Sequence, residues 1–304
     1  MNYKKIIKNR NTRIRIMQAF NWVPDRVMIA IQYFMKTGRK INWKKPARFT
    51  EKIQLYKIYS KDNKLMERCV DKADVRSFVE ERGLSEILIP LYGIYNSPDR
   101  INFDDLPDSF VIKDTLGSGG NSVIICSDKH SIDLDNLKNQ CSNWVCSKYK
   151  HAGREHVYDN NKHRIIIEKL LNSTNKTNGI IEFKFFCFYG KPEYIYVISN
   201  RKLGVSAELG IYDTKFNFLP YFRTDERAPE HKINKPNNFE KMLHIAEILS
   251  KGFPEVRVDL FNVDEKVYFS ELTFFDGSGY MTFDPDEFDY ILGKSFDIQF
   301  DMKV

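Results

Sequence analysis

The order of helical and strand-like segments predicts an α+β fold. Helical periodicity dominates residues 1–82, and most later apolar segments alternate and pair as neighbouring hairpins. Two further helices interrupt the hairpins, so we expect antiparallel or mixed sheets with helices covering one face. The chain does not read as a string of strand–helix–strand units, which argues against a Rossmann sheet. Its 304 residues, 42% of them hydrophobic, suffice for a sizeable core in two subdomains.

Composition excludes several other classes of protein. The longest nearly apolar run, Val27–Met35, is much shorter than the about 20 residues of a membrane-spanning helix. The N-terminus is basic but lacks the apolar core and cleavage site of a signal peptide. Five cysteines occur without a C-x-x-C pair, which argues against a disulfide framework or a structural zinc site. We therefore expect a cytoplasmic protein.

Residues 1–48 are predicted to form a basic helical arm. Residues 1–50 carry 13 Lys or Arg and one acid, Asp25, whereas the rest of the chain has a net charge of −6. The pattern predicts two helical stretches around Pro24, the second ending at Gly38. The arm can lie on an anionic membrane surface, which would place the protein at the inner membrane face, or it can be an ordinary solvated face. Nucleic acid is disfavoured, because no zinc finger or RNA-recognition signature accompanies the charge.

The helical region continues to residue 82. Phe49–Tyr59 is predicted to be a helix with Thr50 as its cap, and one long helix is predicted from Lys64 to Arg82. The apolar run Ile87–Tyr95 contains Pro90, which restricts it to an edge strand.

The remaining segments predict hairpins and two helices. In chain order they are strands at Phe110–Thr115 and Ser122–Cys126, a helix at Leu134–Tyr149, a strand at Arg164–Leu171, strands at Ile181–Phe188 and Tyr194–Ser199, a hairpin over Tyr212–Phe222, a helix at Asn238–Lys251, and strands at Glu255–Asn262 and Lys266–Phe274.

A glycine-rich turn, Gly117-Ser118-Gly119-Gly120, joins two of these strands, and Lys113 lies on the first. Such a turn lets backbone N–H groups approach phosphates closely, and a lysine can add positive charge. The segment is not a Walker A loop, because neither G-K-[S/T] nor a helix follows. By itself it is more typical of a flexible hairpin turn.

Glu168 lies inside the otherwise apolar strand Ile165–Leu171, and a buried carboxylate needs a partner. One interpretation is that it binds an adenine amino group while the backbone of Leu170 contacts the ring edge. The alternative is an ion pair with Lys169 or another base.

Asp259 and Glu271 lie on two strands joined by a short turn, so they can sit side by side. Two inward carboxylates do not both stay charged without a cation, and Mg²⁺ bound to nucleotide phosphates is a common solution. The alternative is separate salt bridges, for example between Asp259 and Arg257.

Together these features occur in an order that resembles the ATP-grasp superfamily. The closer resemblance is to the TupA-like ATP-grasp family of bacterial capsule, O-antigen and teichuronopeptide biosynthesis, and it covers about residues 41–297. It rests on the segments Phe49–Gln54, Asp71–Arg76, Ile89–Gly93, Gly153–Glu155, Phe183–Pro192, Val256–Leu260 and Glu271–Phe274.

The resemblance implies a role for each matching position. It implies that Lys72 and Lys113 contact the phosphates of ATP and that Gly117, Ser118, Gly119 and Gly120 cover them. It implies that Glu168, Lys169 and Leu170 form the adenine hinge and that Asp259 and Glu271 bind Mg²⁺.

The resemblance also names candidates for catalysis. It implies that Arg257 stabilises the transferred phosphate or an acyl-phosphate, and Lys184 is the second candidate for a catalytic role. Arg154 and Arg201, like Lys184, are weaker candidates for the phosphate or substrate region, and Arg201 can equally be an ordinary surface charge. Thr273 stands where many ATP-grasp enzymes have an Asn metal ligand, so the resemblance does not establish a second metal site.

The resemblance also implies the architecture and the activity. It implies an ATP-grasp fold in which residues 49–109 lead into a small subdomain, 110–172, and a large subdomain, 173–304, with the nucleotide between them. The implied reaction is ATP-dependent formation of an amide through an acyl-phosphate, joining an amino acid amine to a uronic acid or peptidyl carboxylate of a glycan. The alternatives are a kinase of a glycan or small molecule, a non-catalytic partner in polysaccharide synthesis, and a nucleic-acid-binding protein.

Overall fold

The computed structural model describes residues 19–117, 120, 122–147, 153–174, 179–202 and 205–298. The first stretch of the predicted arm, residues 1–18, lies outside this range, as do Ser118 and Gly119. The helices are α1 (Asp25–Thr37), α2 (Phe49–Tyr59), α3 (Lys64–Val70), α4 (Val75–Glu81), α5 (Leu134–Val145), α6 (Phe239–Ser250) and α7 (Glu287–Ser295).

The strands pair antiparallel in two main sheets and one short pair, which confirms the predicted α+β class. They are β1 (Leu91–Tyr95), β2 (Phe110–Asp114), β3 (Val123–Cys126), β4 (Ile165–Lys169), β5 (Ile181–Phe188), β6 (Lys191–Lys202), β7 (Ser206–Asp213), β8 (Phe222–Arg223), β9 (Glu255–Val263), β10 (Lys266–Thr273) and β11 (Phe283–Asp284). The small sheet has the order β1-β4-β2-β3, the large sheet has the order β10-β9-β5-β6-β7, and β11 pairs with β8. As predicted, β1 is an edge strand.

Each main sheet buries one face against a helix. In the small sheet, Phe110 and Ile112 point into a core shared with Leu137 and Cys141 of α5. Because side chains alternate along a strand, Lys113 lies on the opposite face of β2. The large sheet is covered on one face by α6. Its other face carries charged side chains and also packs Phe186 and Phe188 against Phe49 of α2.

The predicted long helix from Lys64 to Arg82 is wrong, because the chain breaks between α3 and α4. Asp71 is extended, and its carboxylate accepts the N–H groups of Ala73 (2.8 Å) and Asp74 (3.1 Å). An Asp side chain that bonds nearby amides in this way competes with the helix ladder. The Lys72 N–H instead donates to the Thr115 carbonyl at 3.0 Å. The break therefore fixes Lys72 beside the end of β2.

The predicted hairpin over Tyr212–Phe222 is found in part. An antiparallel bridge joins Tyr212 at the end of β7 to Phe218, the Asp213 N–H donates to the Asn217 carbonyl at 3.0 Å, and the Leu219 N–H donates to the Ile211 carbonyl at 2.8 Å. The Asp213 carboxylate accepts the N–H groups of Lys215 (2.9 Å) and Asn217 (2.8 Å), which stabilises the turn. The pairing does not extend to Phe222, which belongs to β8 and pairs with β11.

Thr50 is not the cap of α2, although the bounds of this helix are those predicted. Arg48 occupies the N-cap position, and its N–H donates to the Glu51 carboxylate at 3.1 Å. The Thr50 amide and hydroxyl both donate to Asp289 of α7, at 2.9 and 2.8 Å. The hydrogen-bond donors at the start of α2 are therefore paired partly with the distant helix α7 and partly with a carboxylate in the first turn of α2 itself.

Arg154 attaches the turn before α1 to the body of the protein. Its guanidinium donates to the carbonyls of Phe20 (2.8 Å) and Val23 (3.2 Å) and lies 3.3 Å from Asp25. These contacts give Arg154 a structural role, and its suggested part in the phosphate or substrate region stays a prediction. Within the described residues, no helix is both long and apolar enough to cross a bilayer.

His156 strengthens the same attachment and makes it pH-dependent. Its ring nitrogens lie 3.0 Å from Asp159 and 3.0 Å from Asp25, and the hydrogen bond to Asp159, with the charge of Asp25, raises the pKa of His156 above its ordinary value. A raised folded-state pKa stabilises the fold fully below the unfolded-state pKa, and this contribution is lost as pH rises through the folded value. We expect His156→Gln to lower the melting temperature most below about pH 6 and hardly at all near pH 9. The exposed control His244→Gln should show no such trend, and a pH-independent loss in His156→Gln would contradict this account.

Candidate active site

A row of charged side chains crosses three neighbouring strands of the large sheet. Glu271 of β10 pairs in register with Asp259 of β9, which pairs with Lys184 of β5. The pairing depends on a β-bulge at Ser270, because an unbroken register would put Ser270 opposite Asp259. The expectation that the two carboxylates lie side by side is confirmed.

Protein cations neutralise Asp259. This fully buried carboxylate accepts hydrogen bonds from Arg257 Nε and Nη2, both at 2.7 Å, and a short one from Lys184 Nζ. Burial alone would raise the pKa of Asp259, but Arg257 and Lys184 hold it below its ordinary value. Glu182 lies 3.0 Å from both Lys184 and the exposed Arg201. The argument that the carboxylate pair needs a metal ion for charge balance is therefore wrong, and the predicted alternative of a salt bridge to Arg257 is found.

Arg257 is held rigidly by further partners. Its Nη1 makes a short hydrogen bond to Asp276, and its Nη2 donates to the Thr273 hydroxyl at 3.1 Å. Burial by itself lowers the pKa of Arg257, but the charges of Asp259 and Asp276 raise it well above its ordinary value. We call β9 and β10, which carry Asp259 and Glu271, the acidic hairpin. Sequence reasoning missed Asp276, although its position just after β10 indicated that it lies near this hairpin.

Glu271 differs from Asp259 because its contacts are longer and its side chain is 36% exposed. The nearest cations are Lys72 Nζ at 3.8 Å and Arg257 Nη2 at 4.0 Å, and the Thr273 hydroxyl lies 3.5 Å away. Its oxygens thus remain accessible at the surface of the row.

Lys72 connects this row to the glycine-rich turn. Its Nζ donates to the Gly117 carbonyl at 2.5 Å while also facing Glu271. Gly117 is required for packing, since a Cβ there would lie 2.4 Å from the Cβ of Ser122, and Gly120 has a φ of +72°. The turn and the acidic hairpin therefore face each other across Lys72. The phosphate-covering role of Gly117 and Gly120 stays a prediction, and Ser118 and Gly119 lie outside the described residues.

Glu168 forms two ion pairs on the small sheet. Its carboxylate lies 2.7 Å from Lys113 Nζ and 3.0 Å from Arg76 Nη1 of α4, so the predicted ion-pair alternative is found with Lys113 and Arg76 as the partners. Arg76 was missed, although it follows Lys72 by four residues. The Lys169 N–H donates to the Pro90 carbonyl at 2.9 Å. The adenine-binding roles of Glu168, Lys169 and Leu170 stay predictions.

The donor set at Asp259 and Glu271 fits Mg²⁺ in one particular way. The described residues contain no group of three or more His, Cys, Asp or Glu side chains that could hold a metal ion. Mg²⁺ commonly takes one or two carboxylates and completes its shell with phosphate oxygens and water. Glu271 has accessible oxygens. A carboxylate can accept about four hydrogen bonds, and Asp259 accepts three from Arg257 and Lys184, so one acceptor position remains. The pair therefore suits an ion shared with phosphates rather than one enclosed by protein.

Replacing Lys72 by methionine tests the phosphate-binding prediction. A charge-assisted hydrogen bond contributes about 1.5–3 kcal/mol, so we expect Lys72→Met to weaken ATP binding by about 10- to 100-fold. Titration calorimetry measures this affinity, and the exposed Lys61→Met is the matched control. Unchanged affinity in Lys72→Met would show that its contact with Gly117 is only structural.

Comparisons with known proteins identify several similar solved structures and one matching family. D-alanine–D-alanine ligase from Bacillus anthracis is similar over 68% of this chain and 57% of its own, at 20% identity and a TM-score of 0.42. The corresponding Helicobacter pylori ligase is similar over 75% and 61%, at 16% identity and a TM-score of 0.39. The biotin carboxylase domain of Hydrogenobacter thermophilus 2-oxoglutarate carboxylase, in complex with MgADP, is similar over 69% and 40%, at 17% identity and a TM-score of 0.41.

The chain thus spans less than two thirds of the length of each of these structures. No curated protein matches it significantly. The TupA-like ATPgrasp family matches residues 51–297, which is most of the chain and includes every candidate site residue named above. The chain therefore belongs to the TupA-like ATP-grasp family and has the ATP-grasp fold.

Proposed function

We propose that this protein is an ATP-dependent carboxylate–amine ligase that forms an amide through an acyl-phosphate. Family membership supports an ATP-dependent ligase. The observation that carries the proposal is the approach of the glycine-rich turn to the acidic hairpin, with Lys72 Nζ 2.5 Å from the Gly117 carbonyl and 3.8 Å from Glu271. A triphosphate bound between the glycine-rich turn and the acidic hairpin would lie close both to the positive charge of Lys72 and to the accessible oxygens of Glu271.

The proposed reaction asks the protein to position groups and neutralise charge. A phosphoryl group passes from ATP to a substrate carboxylate oxygen, and the amine nitrogen then attacks the carbonyl carbon, releasing phosphate and a proton. Lys72, Lys113 and the rigid Arg257 supply positive charge to phosphate oxygens, and Lys184 lies in the same row. When bound at Glu271 and Asp259, Mg²⁺ supplies further charge neutralisation. Such transfer requires no nucleophilic side chain.

The proposed substrates follow from the biosynthetic setting of the family resemblance. The carboxylate belongs to a uronic acid or peptidyl acid of a bacterial surface glycan or its precursor, and the amine belongs to an amino acid. In this proposal the nucleotide lies between residues 110–172 and 173–304, and the basic residues 1–48 hold the protein at the inner face of the membrane, near its glycan substrate.

ADP release by the purified full chain, measured against a panel of uronic acids and amino acids, tests the proposal. We expect release to require Mg²⁺, an acid and an amine, with an amide as product. A stable phosphorylated product formed without any amine would identify a kinase instead. Absence of ATP binding in calorimetry would identify a non-catalytic partner.

A further inference from the structure

Helix α1 carries apolar side chains on two opposite faces. Met28, Ile29 and Tyr33 are buried against the body of the protein. The other face is exposed although it is apolar, and the turn before the helix adds an exposed tryptophan. We call this surface the outer face of α1, and it comprises Trp22, Val27, Ile31, Phe34 and Met35.

These side chains form one continuous stripe. Val27, Ile31, Phe34 and Met35 follow the i, i+4, i+7, i+8 spacing of a single helical face. Phe34 is 53% exposed, and Trp22 is 79% exposed. Single exposed apolar residues are ordinary, but a contiguous exposed group of this size indicates an interaction surface.

The inner face of α1 is fixed, so the outer face is held outward. The Tyr33 hydroxyl lies 2.9 Å from the Thr50 hydroxyl, and Tyr280 donates to Gln32 at 2.8 Å. Arg154 holds the preceding turn through its carbonyls. Rotation of the helix to bury the stripe would break all of these contacts.

The rim of the outer face is cationic. In the described part of the arm, residues 19–48, every exposed charged side chain is basic. Arg26 and Lys40 flank the two ends of α1, and Lys44 and Lys45 follow in the next turn of chain. Lys36 is not part of the rim, because its Nζ lies over the Tyr280 ring at 3.9 Å, on the inner side of the helix. Arg26 lies over the Trp43 ring at 5.7 Å, which brings Lys44 and Lys45 close to the start of α1. The acid Asp25 is only partly exposed and is paired with Arg154 and His156.

We infer that the outer face of α1 is a docking surface for an anionic lipid bilayer. A helix with an apolar stripe and a cationic rim binds in the plane of a bilayer, with the stripe among the acyl chains and the rim beside the headgroups. Tryptophan favours this interface because its ring is both apolar and polar. A second copy fits less well, because self-docking would bring the two cationic rims together. Nucleic acid fits less well, because the basic side chains lie at the rim of the surface and its centre is apolar.

This inference rests on the proposed function for its biological purpose, since a surface glycan precursor carried on lipid would be met at a membrane. The physical surface itself does not depend on the ATP chemistry. Lipid binding can therefore be measured whether or not the proposed ligase reaction is found.

Vesicle flotation of the full chain tests the inference. We expect binding to vesicles of mixed phosphatidylglycerol and phosphatidylcholine, weak binding to pure phosphatidylcholine, and loss of binding at high salt. The double variant Ile31→Ser/Phe34→Ser and the triple variant Lys40→Gln/Lys44→Gln/Lys45→Gln should each lower vesicle partitioning by about tenfold or more. The control Ile125→Ser/Val205→Ser removes apolar groups exposed elsewhere, at 48% and 80%, and should bind as the unchanged protein does.

Three outcomes would overturn the inference. Both variants could bind vesicles as tightly as the unchanged protein, which would assign binding to residues outside the outer face. The apolar variant could instead abolish self-association in sedimentation experiments while vesicles are never bound, which would assign the face to a second copy. Binding of generic DNA with no binding of anionic vesicles would assign the basic rim to nucleic acid. ADP release by both variants, measured without vesicles, should equal that of the unchanged protein.

Discussion

Replacing Glu271 by glutamine is expected to lower ATP turnover by about 100-fold or more while leaving thermal stability unchanged. The substitution keeps the shape of a side chain that is 36% exposed and lies 3.8 Å or more from its nearest cations. The loss of charge removes the accessible carboxylate that the proposal assigns to Mg²⁺ and the phosphates. ADP release measures turnover, and calorimetry with and without Mg²⁺ measures whether the metal still strengthens ATP binding.

The exposed Glu226→Gln is the matched control for Glu271→Gln and should retain full turnover. Turnover of Glu271→Gln within a few-fold of the unchanged protein would exclude Glu271 as a metal ligand. A lower melting temperature would instead show that its contacts with Lys72 and Arg257 support the fold.

Replacing Asp259 by alanine is expected to destabilise the protein as well as inactivate it. Asp259 is fully buried between Arg257 and Lys184, and its removal leaves two buried cations without their shared anion. Breaking a buried ion pair from one side costs about 3–5 kcal/mol. We expect the melting temperature to fall by about 10 °C. Thermal unfolding followed by circular dichroism measures this change.

The double variant Asp259→Ala/Lys184→Met separates the two effects of losing Asp259. It removes one of the two cations that lose Asp259 as a partner, so it should recover part of the lost stability but none of the ATP turnover. A single variant Asp259→Ala that is as stable as the unchanged protein would contradict the buried network described here.

Local patterns predicted the elements that surround the candidate site. The hairpin of β9 and β10 was predicted from two alternating runs around a short turn, and the glycine-rich turn was predicted from its composition. These signals work because they act over a few residues, where strand alternation and glycine conformations dominate. The same local signals failed at Asp71, whose carboxylate bonds nearby amides and ends a helix within an otherwise periodic segment.

Contacts between distant residues were beyond these patterns. Asp259 pairs with Lys184 as well as with Arg257, and Lys184 lies 75 residues from Asp259 in the sequence. Glu168 pairs with Arg76 of α4, which lies 92 residues from Glu168. Strand periodicity assigns a side chain to a face but does not identify its neighbour across the sheet. The resemblance named Lys184 for this site, but it implied a contact with phosphate rather than one with Asp259.

By itself, the sequence determined the α+β class, the order of the hairpins and the residue types available for binding a phosphate, because these depend on periodicity, turn chemistry and composition. Only the tertiary structure decided which charges meet. The bulge at Ser270 turns Glu271 onto the face of Asp259, and the break at Asp71 carries Lys72 to the glycine-rich turn. Both are single-residue irregularities whose effect depends on the strand or turn packed beside them, so their consequence appears only when the chain is folded.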